Sequence, residues 1–371
     1  VASLKRFDFA IVGGGLAGLT AALELSKYTR SICLIERQGF PHHKVCGEYV
    51  SNEVLPYLRS LGVDPMKAGA VSIDRFRLCN NKGKSTQTNL PLGGFGISRY
   101  TLDHLLFKAI SPAVDHIEDS VQQIQRTGSG YHLDLLRNDS IEANYVIGAF
   151  GKRSNLDKPL GLSHAQRRSH WMAVKGHYQF PFPSDLVELH TFHGGYCGLS
   201  RVENGLVNAC YLVNSQVFKQ HGGSAEKFQA NLTASGSELG RFFEQAEPMF
   251  DRPLTIAQVD FSPKRPVVNG IFMLGDSAGL IHPLCGNGMA MAIGSARIFG
   301  QCYGESNGSS DLPACYEKAW QLNYSSRLKT GRWLQRLLLS PSFGDLAMSM
   351  GQRMPGALPA IIRRTHGVPV S

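Results

Sequence analysis

Residues 7–37 read FDFAIVGGGLAGLTAALELSKYTRSICLIER. The apolar run Phe9 to Val12 suits a buried parallel strand, and Gly13, Gly15 and Gly18 follow at G-x-G-x-x-G spacing where a helical pattern begins. Gly13 permits the tight turn, and Gly15, with Leu16 and Ala17 behind it, lets a pyrophosphate approach the backbone. Gly18 lets the helix pack closely on the sheet. Phosphates there meet the positive end of the helix. Ser31 to Ile35 reads as a second strand, and Glu36, beside Arg37, stands where an adenosine ribose needs a hydrogen-bond acceptor. A lone glycine motif is weak, but strand, glycines, helix, second strand and acid in this order predict a dinucleotide site. They do not choose between NAD and FAD.

A second stretch, GIFMLGDSAGLIHPLCGNGMAMAIGSARIFG at 270–300, bears on that choice. An apolar strand, Ile271 to Leu274, ends in Gly275-Asp276, and a turn through Pro283, Gly286, Asn287 and Gly288 opens a helix rich in small residues. Two glycines in the turn let backbone reach a ligand.

Between these stretches, residues 41–47 read PHHKVCG, a P-x-x-K-x-C-G pattern with Ser51 after it. This resembles the geranylgeranyl reductase branch of the FAD-dependent oxidoreductases, the superfamily that also holds the para-hydroxybenzoate hydroxylase type of monooxygenase. The resemblance covers residues 7 to about 305 and implies FAD as cofactor. It places Lys44, Cys46 and Gly47 beside the flavin ring, with Cys46 a catalytic candidate. Arg99 and Asp103 match R-x-x-x-D-x-x-L, which implies that Arg99 reaches the FAD pyrophosphate or ribityl chain. Read without the resemblance, a ligand role and an i,i+4 pair on a solvated face stay equally open. The strand near Val121 would pass the adenine, Asp276 would hold the ribityl chain, and the helix after Gly288 would stabilise charge on the reduced flavin.

Two departures stand out. A motif that in this superfamily reads A-D-G is Ala149-Phe150-Gly151 here. Phenylalanine cannot accept a hydrogen bond, so NAD(P)H as the electron donor stays open. The reductase pattern G-Y-x-W-x-F-P survives only as Gly195-Tyr196 with Gly198 in place of tryptophan. The smaller residue leaves room above the flavin, and the missing tryptophans, with Lys67 a weak active-site lysine, argue against a halogenase. Tyr196 is the polar group expected to orient substrate or donate a proton.

The expected fold is α/β: a Rossmann-like FAD-binding domain (1–70, 99–167 and 254–310), an inserted antiparallel-sheet substrate domain (71–98 and 168–253) and a C-terminal helical segment (311–371). Asn204-Gly205 is the clearest hairpin signal. Gly93-Gly94 is expected to close a strand segment, and His42 and His43 to be solvated loop residues. The net charge of +9 comes from scattered basic residues, which argues against nucleic acid as partner. The eight cysteines show no C-x-x-C pair or metal-ligand spacing, so reduced cytoplasmic thiols and no metal are expected. Lys5, Arg6 and Asp8 interrupt the N-terminus, which predicts no secretory leader, and no apolar run reaches the ~18 residues of a membrane span. The C-terminal stretch, rich in Met, Leu, Pro and Arg, reads as core-covering helices, with a lid or a peripheral membrane contact as alternatives.

The expected activity is FAD-dependent redox chemistry on a lipophilic small molecule, with geranylgeranyl-reductase-like hydride transfer. The alternatives are a monooxygenase hydroxylating an aromatic or polyketide substrate and a flavin-binding protein without catalysis.

Overall fold

A computed structural model of the chain describes residues 4–110, 112, 114–162, 169–281, 286–338 and 356–367. The apolar run becomes β1 (Lys5–Val12), the glycine turn leads into α1 (Leu16–Leu25), and β2 (Ile32–Glu36) follows. Next come β3 (Tyr49–Ser51), α2 (Leu55–Ser60), the long pair β4 (Val71–Cys79) and β5 (Ser85–Gly96), and α3 (Arg99–Ala109). β6 (Val114–Glu118), β7 (Val121–Thr127), β8 (Gly130–Leu135) and β9 (Ile141–Gly148) complete the first half. A second run of strands comprises β10 (Trp171–Gln179), β11 (Leu186–Phe192), β12 (Gly195–Arg201) and β13 (Val207–Asn214). Helices α4 (Ser215–Gln220), α5 (Ala225–Ala234) and α6 (Glu238–Gln245) precede the short strands β14 (Glu247–Pro248), β15 (Leu254–Ala257), β16 (Val267–Val268) and β17 (Ile271–Met273). Among the described residues three helices follow: α7 (Gly288–Ser306), α8 (Leu312–Leu338) and α9 (Ala357–Thr365).

Among the described residues the strands form two sheets. The first runs β16-β17-β9-β1-β2-β6 and is parallel from β17 to β6, with the β7–β8 hairpin attached through β9. Its central strands are covered on both faces. Phe9, Ile11, Ile32, Leu34, Val146 and Ile147 are therefore fully buried, each contributing about 1.5–3 kcal/mol of apolar burial. The second sheet runs β14-β10-β13-β12-β11-β4-β5-β3 and is antiparallel except where β11 meets β4. Two strands outside the 71–98 and 168–253 boundaries, β3 and β15, pair into it.

One face of the second sheet is covered by α5 and α6, whose Phe228 and Phe242 pack on Tyr211 and Tyr178. Its other face turns toward the parallel sheet. The β12–β13 hairpin closes on Asn204 and Gly205, both left-handed (φ +60 and +74), the signature of an Asn-Gly turn. Gly93-Gly94, expected to end a segment, lies inside β5. Gly93 there takes φ +63 and the β4–β5 register shifts between Ile73 and Arg75, so the glycines mark a bulge. The Met-rich stretch before Pro355 lies outside the described residues, but α9 beyond it packs on β5 and α8.

Candidate active site

The two sheets enclose a cavity of 370 Å³. One wall is backbone-rich: Gly15, Leu16 and Ala17 at the start of α1, Cys46-Gly47-Glu48, Arg99, Ala149, Gly151, Gly275-Asp276, and Gly286-Asn287-Gly288 at the start of α7. The opposite wall is the second sheet, with Phe76, Leu78, Leu189, Tyr196 and Leu212. Trp333 and Leu334 of α8 and Leu358 and Ile361 of α9 close the end.

Helix starts differ in how they are capped. α3, α4, α5 and α6 open with side-chain caps from Ser98, Asn214, Ser224 and Ser237. α1 and α7 open on Gly15 and Asn287 with no side-chain cap among the described residues. Their first N–H groups and positive dipole ends are thus left at the cavity wall. A Cβ on Gly15 would sit in the opening, its nearest neighbour being Arg99 Nη2 at 3.5 Å. A Cβ on Gly18 would instead collide with the Gly13 carbonyl oxygen, so that glycine serves the helix–turn contact.

Residues 6–301 match the family model described as FAD binding domain. The chain belongs to this FAD-binding family. Relatives run along nearly its whole length. It is 24% identical to digeranylgeranylglycerophospholipid reductase 2 of Methanothermobacter thermautotrophicus, over 99% of this chain and 93% of that one. It is 22% identical to menaquinone reductase of Mycobacterium tuberculosis, over 91% and 85%. A solved flavin-dependent brominase superposes with a TM-score of 0.79 at 16% identity, covering 97% of this chain and 93% of that one, and so shares the fold. The protein is an FAD-dependent oxidoreductase, and FAD is its cofactor.

The cavity suits FAD on its own observations. Two uncapped helix ends suit a pyrophosphate and a reduced isoalloxazine, both anionic. The buried Oδ1 of Asn287 has no partner among the described residues and is the kind of acceptor an N–H of the flavin pyrimidine edge requires, while its Nδ2 donates to Thr365 O at 2.8 Å.

Of the residues singled out in the sequence, Gly15, Leu16, Ala17, Cys46, Gly47, Arg99, Tyr196, Gly275, Asp276, Gly286, Asn287 and Gly288 border the FAD-family cavity, and Gly13, Gly18, Glu36, Arg37, Lys44 and Val121 do not. Glu36 accepts from Gly14 N at 2.7 Å and so fixes the glycine turn, while Arg37 is exposed beyond it. Lys44 joins the same turn, donating to Gly14 O at 3.1 Å and to Asp103 at 3.0 Å. Val121 O accepts from Asn155 Nδ2 at 3.2 Å. Pro283 lies outside the described residues. Lys67 is exposed and away from the cavity.

Arg99 and Asp103 do form the i,i+4 pair, with Nε and Nη2 at 2.7 and 2.8 Å from the two carboxylate oxygens, but the pair is buried. Burial alone would raise Asp103. Arg99 and Lys44 outweigh it and hold the carboxyl below its ordinary range. His43 is not a solvated loop residue. It packs on Tyr100 and Phe250, each at 4.7 Å, and edge-on to His177 at 5.3 Å. Burial, reinforced by Lys175 and His177, pushes its imidazole down to about 4. Phe150 packs against the core with its ring beside Gly148, and its neighbour Gly151 receives Ser277 Oγ as an acceptor for its N–H at 2.8 Å.

The largest feature missed in the sequence is a buried ionic staple. Glu48, fully buried with φ +56, accepts from Lys175 Nζ, from His177 Nε2 at 2.6 Å and from Arg99 N at 2.7 Å. Burial works against its charge, but Lys175 and His177 hold it below the usual carboxylate range. A signal existed: in the strand MAVKGHY, Lys175 and His177 share the parity of the buried Ala173. Glu203, in the Asn-Gly hairpin turn, likewise accepts from Ser98 N at 2.8 Å and from the hydroxyls of Ser98 and Thr101, tying the second sheet to α3.

Away from the cavity, Cys79, His190 and Glu238 approach one another within 4.8 Å. Arg77 meets Glu238 at 2.9 Å and Glu188 at 3.0 Å there, so the cluster is an ion-paired one.

Proposed function

We propose that this FAD-dependent oxidoreductase reduces an unsaturated lipophilic molecule in the manner of a geranylgeranyl reductase. The observation that carries the reading is the substrate wall: Phe76, Leu78, Leu189, Leu212, Val259 and Leu280 form an apolar lining that continues to Trp333, Leu358 and Ile361. Such a wall desolvates a hydrocarbon chain at about 0.8 kcal/mol per CH₂ and offers little to a polar substrate. Two near-full-length relatives named as reductases of a digeranylgeranyl lipid and of menaquinone support it.

FAD, once reduced, would supply the hydride. The chain's own residues would bind and orient. Gly15, Leu16 and Ala17 would form the pyrophosphate cradle on the turn that Gly13 and Gly18 shape and Lys44 braces, with Arg99 as a fixed cation. Glu36, Arg37 and Val121 would serve the adenosine end, Gly275 and Asp276 the ribityl chain, and Gly286 to Gly288 the flavin edge. Cys46 and Gly47 would flank the reacting face. Tyr196, a buried phenol beside Leu189 and Leu212, would hold the proton that completes saturation of a double bond. In this reading residues 71–98 and 168–253 form a substrate domain set into the FAD-binding domain.

The test is anaerobic incubation of dithionite-reduced holoenzyme with a geranylgeranyl-bearing lipid, read by mass spectrometry. A gain of two mass units per double bond is expected. No such gain, with incorporation of one oxygen atom in air into an aromatic substrate, would overturn it in favour of a hydroxylase.

A further inference from the structure

We propose that a second pocket beside the flavin cavity binds a phosphoryl or diphosphoryl group, and that this group is the head of the lipid whose chain fills the cavity. The proposal rests on the lipophilic-substrate reading above. The pocket has a volume of 260 Å³ and lies between the loop before β16 and the outer face of α8. Four cations line it, Lys264 and Arg265 from the loop and Lys329 and Arg332 from α8, against one carboxylate, Glu317. Lys329 and Arg332 stand at i,i+3 on one helix face, so both reach the same opening.

The four cations have different engagements. Lys264 Nζ already donates to Lys152 O at 3.1 Å and Asp276 O at 2.9 Å, and Asp276, Asp157 and Asp260 stand near its charge. Lys264 therefore anchors the loop to the two turns that border the flavin cavity. Arg265, Lys329 and Arg332 have no ion-pair partner among the described residues. Three unpaired cations around one opening exceed what a carboxylate would need. They match a group with several anionic oxygens, which arginine forks bind bidentately. A neutral head group, such as a quinone ring, would leave all three unmatched.

The two pockets adjoin. Leu280 borders both, and along α8 Arg332 lines the basic pocket while the next residues, Trp333 and Leu334, line the cavity. A chain in the cavity and a charged head in the pocket are thus one amphipathic ligand, divided at Leu280.

The experiment is calorimetric titration of FAD-loaded protein with geranylgeranyl diphosphate, geranylgeraniol, inorganic pyrophosphate and NADPH. It is run on the wild type and on the triple variant Arg265→Gln, Lys329→Gln, Arg332→Gln. The wild type should bind the diphosphate tighter than the alcohol by about tenfold or more. The variant should lose that preference while keeping its affinity for the alcohol and for NADPH. Equal affinity of both prenyl compounds for the wild type would overturn the proposal and leave the lipophilic reading standing. Binding of neither would sink that reading and the proposal with it. A variant that weakens NADPH binding while keeping the diphosphate preference would assign the pocket to a nucleotide instead. Pyrophosphate binding as tightly as the prenyl diphosphate would show that head and chain are not one ligand.

Discussion

On one side of the cavity Gly15, Gly286 and Gly288 bring backbone to the surface; on the other Phe76, Leu78, Leu189 and Leu212 bring apolar side chains. The first wall is tight at Gly275 and Gly286, where a Cβ would meet neighbouring atoms, while Gly15 and Gly288 leave their Cβ positions open toward the cofactor. A Cβ on Gly286 would lie 2.9 Å from Tyr49 Cδ1. The second wall has slack: a Cβ on Gly198 would find nothing closer than 3.9 Å. A cofactor of fixed shape demands fixed backbone, whereas a substrate wall can change by exchanging side chains on an unchanged sheet.

Glu48 joins the two walls, so removing it tests whether they are independent. Glu48→Ala leaves Lys175 buried without its counter-charge and should destabilise the protein by about 3–5 kcal/mol, read by urea unfolding. The double variant Glu48→Gln, Lys175→Met should recover most of that loss. If Glu48→Ala unfolds at the wild-type midpoint, the staple holds nothing. Next in size, Gly18→Ala should force α1 away from the Gly13 carbonyl, cost about 1–3 kcal/mol and release the flavin on gel filtration. On the slack wall, Gly198→Trp, which restores the tryptophan of the reductase pattern, should leave the unfolding free energy within about 0.5 kcal/mol of wild type and the flavin content unchanged, while lowering reduction of bulky lipids relative to slim ones. Flavin loss there would mean that the two walls are as rigid as each other.

A further prediction concerns pH. His43 has a folded pKa of about 4 against an ordinary 6.5, so the unfolded chain binds the proton more readily. Stability should therefore fall as pH drops from 6.5 to 4, and His43→Gln should reduce that slope, the remainder belonging to His104, His116 and His366, whose imidazoles burial also holds down. Glu48 and Asp103 act in a lower window. Their folded pKa values are depressed, so their contribution is complete above the ordinary carboxylate range and is lost as pH falls below it. Urea midpoints at pH 7, 5 and 3 for wild type and His43→Gln separate the two windows.

Among the described residues no helix is long and apolar enough to cross a membrane. Contact with a lipid surface, if the substrate is drawn from one, would fall to surface residues such as Trp333, half-exposed at the cavity's end.

By itself the sequence determined the glycine turn after β1, the acid ending β2, the Gly-Asp turn after β17 and the Asn-Gly hairpin. Each is a local demand: a turn, a left-handed φ or a strand end writes its requirement into neighbouring residues. It also put Cys46, Arg99 and Tyr196 forward for the site, and the fold brings all three to one cavity. Only tertiary structure decided that Glu48 meets Lys175 and His177 more than 120 residues away, that Glu203 holds Ser98 at the start of α3, and that Lys329 and Arg332 stand opposite Arg265. A charge on a strand or helix carries no mark of its partner, because an ion pair needs proximity and burial, which only the packing of distant elements creates.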